Sequence, residues 1–269
     1  ASKFGVYDIA KDSVYFVNFS SLSHIQDVPK YFELYEKSKT TEKKDKLIVV
    51  QEPIYNENGS YAIAEIRSQD NKDRWIVSLN LKKGTFQELD HQHDEAWIGG
   101  PGIPSYSFGR GTLGFLGDNE TVYFQSEETG YSHLYTYNLK SKKKIQLTKG
   151  NWEVRNVNLS KDKKSFYLTT TTTHPGNRDF YKLEVANAVL QPILTKDGAH
   201  EVSLSPDEST LIVRYSYKNK PWELYVAPNK KNTNLIQITT STSESFKKYA
   251  WREPDVITFK AQDGTPVNA

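Results

Sequence analysis

The chain has 269 residues, enough for one large or two ordinary domains. Its 35 Lys+Arg stand against 33 Asp+Glu, and a formal net charge of +2 makes no case for nucleic acid. There is no cysteine, which excludes disulfides and thiolate chemistry, and no apolar run approaches the ~18 residues of a membrane span.

Short polar turns holding Asp or Asn precede strand-like runs at five places. Asp12 precedes VYFVNF, Asn58 precedes SYAIAEI, Asp118 precedes TVYFQS, Asp162 precedes SFYLTT and Asp207 precedes TLIVRYSY, at separations of 46, 60, 44 and 45 residues. A period of about 40–45 residues is that of a four-stranded propeller blade. Helical arrays need apolar residues at 3.6 spacing, whereas these short, β-branched runs alternate with period two. The 17 Tyr and 12 Phe suit such a core, because rings pack well on pleated surfaces. The expected fold is all-β: a β-propeller of four-stranded antiparallel blades with five repeats visible.

In chain order, Ala1-Ser2 without an initiator Met reads as a processed or truncated start, and no signal peptide follows it. The first unit holds a polar excursion, Ser20 to Asp45, in which Tyr31 to Lys37 reads as a short helix; little helix is expected elsewhere. Arg67 to Trp75 is dense in charge and reads first as a solvated hairpin with weak internal ion pairs. Its second reading is a polar rim or an anchor for the loop that follows. Arg74 to Leu79 leads through Lys82-Lys83-Gly84 to Thr85–Leu89, strand, tight turn and strand. His133 to Leu139 repeats the unit with Ile145 to Thr148, as do Phe180 to Leu183 with Gln191 to Thr195, and Trp222 to Val226 with Leu235 to Thr239. Ser205-Pro206-Asp207 is a turn in which Pro presets φ and Asp bonds nearby N–H groups.

The second unit is stretched by an insertion, His91 to Gly111, with five glycines and two prolines between periodic strands. It reads as a long shaped loop, and long loops on a repeat scaffold commonly carry function. Ser105-Tyr106-Ser107-Phe108-Gly109 is the nearest approach to a nucleophile elbow, but it lacks the first Gly and no helical pattern follows. Ser107 is therefore not taken as a nucleophile. His91 and His93 share a face of a strand and raise a metal reading, with a polar loop entry as the favoured one. His133 and His200 read as satisfied structural histidines. After Trp251 the pattern breaks, and Pro254 to Gly264 starts a new strand and turn, so a boundary is placed between residues 252 and 253.

SEETGYSHLYTYNL followed by LTKGNWEV, at Ser126 to Val154, resembles the propeller signature of dipeptidyl peptidase IV-like enzymes of the prolyl oligopeptidase family. The tail from Trp251, WREPDVITFKAQDGTPVNA, resembles the passage from those propellers into their α/β-hydrolase domain. SLSPDESTLIVRYSYKNKPWELY, from Ser203, fits a last full blade, and HDEAWIGGPG, from His93, lies where the family has a loop reaching toward the substrate cavity. The resemblance implies that residues 1–252 are the propeller region of a serine peptidase and 253–269 the start of its hydrolase domain. The propeller would cover the active site and gate peptide access, with the whole triad outside this chain, so no catalytic residue, cofactor or metal is expected here. The access loop would use Asp94, Glu95, Trp97, Tyr106 and Arg110: aromatics as rigid apolar surface, charges to orient a peptide end. The expected partners are a peptide substrate, the hydrolase domain and a second copy, since an open arc of blades exposes a sheet edge. The resemblance favours a secreted or periplasmic location over a cytoplasmic one. The alternative is a stand-alone propeller that binds protein or glycan without enzymatic activity.

Overall fold

The computed structural model describes residues 3–30, 32, 44–103 and 109–269. Two strands open it, β1 (Gly5–Asp8) and β2 (Ser13–Phe16), paired antiparallel. The first sheet holds β3 (Ile48–Val50), β4 (Ile54–Tyr55), β5 (Ala62–Ser68), β6 (Asp73–Asn80) and β7 (Thr85–His93). Both β3 and β4 pair with β5. The sheet is thus a four-stranded one whose first strand is interrupted near Pro53, a residue with no N–H to give to a ladder. The second sheet holds β8 (Leu113–Phe115), β9 (Thr121–Ser126), β10 (His133–Asn138) and β11 (Lys143–Gln146). The third holds β12 (Val154–Leu159), β13 (Ser165–Thr170), β14 (Asp179–Glu184) and β15 (Val189–Leu194). The fourth holds β16 (Ala199–Leu204), β17 (Thr210–Tyr217), β18 (Lys220–Pro228) and β19 (Ile236–Gln237). In the second, third and fourth sheets each strand lies beside its successor, as in a propeller blade.

Two kinds of turn build these sheets. Between first and second strands, an Asn or Asp side chain accepts a backbone N–H two residues on. Asn58 holds Ser60 at 3.0 Å, Asp118 holds Glu120 at 3.0 Å, Asp162 holds Lys164 at 3.0 Å and Asp207 holds Ser209 at 3.1 Å. The residue after each takes a left-handed φ: Gly59, Asn119, Lys163 and Glu208. The turn into the last strand is different: the left-handed residue comes four positions after the preceding strand ends, and in the first and second sheets that strand ends on an Asn. Asn80 is followed by Gly84 and Asn138 by Lys142. Asp12 belongs to this second kind, since Asp8 ends β1 and Asp12 itself has φ 47°. The Asp12 turn is therefore not the counterpart of the other four.

The chain divides into two compact units, Ala1–Leu168 with Leu183–Leu190, and Thr169–Lys182 with Gln191–Ala269. In the first, alternation along β5 and β6 sends Ala64, Ile66, Trp75 and Val77 to one face, where Val17, Phe19, Leu22 and Ile25 cover them. Ile63 and Ile76 face the other way, onto Phe115, Val122, Phe124 and Tyr135. A third layer joins Leu116, Leu134 and Val154 to Phe166 and Leu168. The start of the polar excursion is thus a packed segment: the Trp75 indole donates to Ser23 O at 2.9 Å, and Glu88 holds the Ser23 hydroxyl at 2.6 Å. The expected helix from Tyr31 to Lys37 falls largely outside the described residues. In the second unit Leu211, Val213, Tyr215 and Ala227 are buried on the fourth sheet. One short helix lies outside the expected segment, α1 (Glu244–Lys248), capped by Ser243. The last pair, β20 (Thr258–Lys260) and β21 (Pro266–Asn268), is antiparallel and exposed throughout. Among the described residues no helix is long and apolar enough to cross a membrane.

Candidate functional site

The inserted loop begins inside a strand, because β7 runs on to His93. It then folds back onto the β5–β6 turn. Asp94 N donates to Lys72 O at 3.0 Å and Ile98 N to Asn71 O at 2.7 Å. The Lys72 ammonium donates to Ala96 O at 2.8 Å and also reaches Glu95 O. The charge-dense Arg67–Trp75 segment is therefore not a solvated hairpin. Asp73 and Arg74 are wholly buried, and Arg67 and Lys72 nearly so. Burial of so many charges is tolerated only when they are paired and hydrogen-bonded, and here the loop and the facing strand supply the partners.

Asp73 is the centre of one such cluster. Its Oδ1 accepts from His91 Nε2 at 2.9 Å and His93 Nδ1 at 2.8 Å, while Lys46 pairs with Oδ2. Burial alone would raise this carboxyl, but hydrogen bonds from His91, Lys46 and His93 outweigh it and hold it at about 2. The expectation that His91 and His93 share a strand face holds, and their common partner is Asp73. His91 is also stacked between His24, at 4.7 Å, and Trp75, at 5.4 Å. A cavity of about 670 Å³ is lined by His24, His91 and His93, and also by Lys30, Lys46 and Glu95. For His93, burial opposes protonation, but bonds to Asp73 and Glu95 win and raise its pKa.

The loop residues chosen from sequence have separate tasks. Asp94 Oδ1 accepts from Ala96 N and Trp97 N, both at 2.7 Å, and so shapes the loop locally. Glu95 accepts from Lys30 N at 2.6 Å and faces His93 at 3.3 Å. Trp97 is 42% exposed, and Ile98 and Ile103 are the buried anchors. Arg110 donates to Glu52 O at 2.9 Å. Tyr106, with Ser105, Ser107 and Phe108, lies outside the described residues. His133 is a satisfied structural histidine, bonded to Thr148 Oγ1 at 3.0 Å and Gly150 O at 2.9 Å. Buried His200 donates from Nδ1 to Arg178 O at 2.7 Å, while its Nε2 finds no partner among the described residues.

Sequence reasoning places Glu127 in the Ser126 to Val154 signature and gives it no site role. Its carboxylate lies against Gly100, where a Cβ would clash with Oε1; only glycine gives the backbone this approach, at φ 131°. Burial first, and then the charges of Glu153 and Asp94, push Glu127 up to about 7. The cue was a glycine distant in sequence, and no spacing rule connects it to Glu127.

Comparison with known proteins agrees with this architecture. The family description "Dipeptidyl peptidase IV (DPP IV) N-terminal region" matches residues 6–222. Dipeptidyl peptidase 4 of Trichophyton rubrum is 30% identical over 228 residues, covering 82% of this chain and 29% of that protein. Its counterpart in Arthroderma otae is 32% identical over 199 residues, 71% of this chain and 25% of that protein. The crystal structure of Porphyromonas gingivalis dipeptidyl peptidase 4 superposes with a TM-score of 0.65 at 14% identity, over 98% of this chain and 33% of that one. The chain thus spans a third or less of the length of these proteins. The blades of four antiparallel strands are those of a β-propeller, and the chain belongs to the dipeptidyl peptidase IV N-terminal region family.

Proposed function

We propose that this chain is the propeller region of a dipeptidyl peptidase IV-like serine peptidase, and that its loop from Asp94 to Arg110 shapes peptide access to an active site carried by a C-terminal α/β-hydrolase domain. The observation that carries the reading is the family match across residues 6–222. The loop supports the gating part: it is held down at Ile98 and Ile103 while Trp97 stays exposed, which makes a rigid apolar surface on a positioned loop. In this reading residues 253–269 begin the hydrolase domain, the substrate is a short peptide, and the whole protein works outside the cytoplasm. The chemistry belongs to the hydrolase domain: a serine activated by histidine, with an oxyanion hole. The propeller contributes exclusion of folded proteins and orientation of the peptide.

The test is kinetic and uses the full-length protein with Xaa-Pro chromogenic dipeptides. Trp97→Ala is expected to raise KM about three- to tenfold with kcat nearly unchanged, the mark of lost uniform binding. An unchanged KM removes the gate. Absence of all turnover in the full-length protein removes the peptidase reading itself.

A further inference from the structure

The two feet of the loop, Pro101-Gly102 and Gly111-Thr112, rest on one side chain. Gln125 lies on β9 at a wholly buried position, a place where a carboxamide is costly unless every polar atom is satisfied. Its Oε1 accepts from Thr112 Oγ1 at 2.6 Å. Its Nε2 donates to Val154 O at 2.7 Å and to Ser132 Oγ at 3.0 Å. Ser132 Oγ in turn donates to Pro101 O at 2.7 Å, and Gln125 Nε2 approaches the same carbonyl at 3.3 Å. The hydrogens balance: two N–H and two O–H donors, each with an acceptor, joined in a relay from Thr112 to Pro101. Gly102 sits so close to the amide that a Cβ would collide with Oε1. The feet are also tied to each other, Thr112 N to Gly102 O at 2.8 Å. Beneath them Arg74 donates to Gln125 O at 2.8 Å and to Glu65 Oε2, and that same oxygen accepts Gly111 N at 3.0 Å.

We propose that Gln125 is a positioning residue: through Thr112 and Ser132 it holds both feet of the access loop, and so sets how tightly a peptide is held rather than how fast it is cleaved. The consequence for peptides rests on the access-loop reading above; the consequence for the loop does not. A buried relay with one arrangement of protons has a single low-energy geometry, so the feet are fixed before substrate arrives, and preorganisation of this kind lowers the cost of binding.

The experiment uses the full-length protein with Thr112→Val, Ser132→Ala and, as conservative rescue, Thr112→Ser. Gln125→Leu removes the whole relay but risks the fold, so the first two variants carry the test. Amide exchange is read at Gly100, Gly102, Ile103, Gly111 and Thr112, and kcat and KM on Xaa-Pro chromogenic dipeptides. Thr112→Val and Ser132→Ala are expected to speed exchange at these amides about tenfold. KM should rise about fivefold with kcat within about twofold of wild type. Thr112→Ser should restore both. Unchanged exchange at the feet in both variants overturns the inference. Faster exchange with unchanged KM supports the positioning role and overturns the access-loop reading instead.

Discussion

Asp73 and Glu127 show how position decides the chemistry of a carboxylate. Asp73 is buried but collects three charged or hydrogen-bonding partners, and its pKa falls to about 2 from 3.8. A depressed carboxyl contributes stability above its unfolded value and loses it as pH falls through the folded one. The shift corresponds to about 2 kcal/mol. Asp73→Asn is therefore expected to cost about that much at pH 7 and to flatten the acid limb of the stability curve between about pH 4 and pH 2, read by urea midpoints. Glu127 is the opposite case, raised to about 7 from 4.5 by burial and two neighbouring carboxylates. Its contribution is present below the unfolded value and lost as pH rises through the folded one. Glu127→Gln should be near neutral at pH 4.5 and stabilising by about 1 kcal/mol at pH 8, after allowing for solvent screening at a half-buried site. A mutant less stable at pH 8 than at pH 4.5, relative to wild type, would contradict this assignment.

The turn is the element that repeats. Between first and second strands the Asn or Asp was visible in sequence, because its side chain makes the turn and its spacing is the blade period. The second kind of turn was less visible, since its left-handed position accepts Asp12, Gly84, Lys142 or Ala188. An L-residue there bears a steric cost that glycine avoids, about 1 kcal/mol. Lys142 is exposed with φ 57°, so Lys142→Gly is expected to raise stability by about 0.5–1 kcal/mol in thermal or denaturant melts. A loss instead would mean that the Lys142 side chain makes a contact that the turn geometry does not reveal. The inserted loop follows another rule. Its Gly and Pro content announced a shaped path, yet Gly100 and Gly102 owe their identity to Glu127 and Gln125, which press on them from β9 and the turn after it.

At the scale of the molecule, stability resides in the layers between sheets. Phe124 lies wholly buried in the layer shared by the first and second sheets, stacked with Tyr135 at a centroid distance of 6.0 Å. Phe124→Ala is expected to cost about 3–5 kcal/mol, seen as a lower denaturant midpoint with an unchanged m value. A change below about 1 kcal/mol would mean that this layer collapses around the gap. The strands, their antiparallel pairing and the blade period were determined by the sequence alone, because period-two alternation and Asx turns act over a few residues. The resemblance of Ser126 to Val154 to a peptidase propeller was legible for the same reason. Tertiary structure alone decided the fate of the charges. Asp73 and Arg74 read as solvated because nothing local to Arg67–Trp75 shows that Lys46, His91, His93 and Gln92 converge on them. Gln125 and Glu127 read as parts of a strand and its following turn, for the same physical reason: a partner 13 to 29 residues away, Thr112 or Val154 for Gln125 and Gly100 for Glu127, is chosen by tertiary packing, and no local periodicity carries that information.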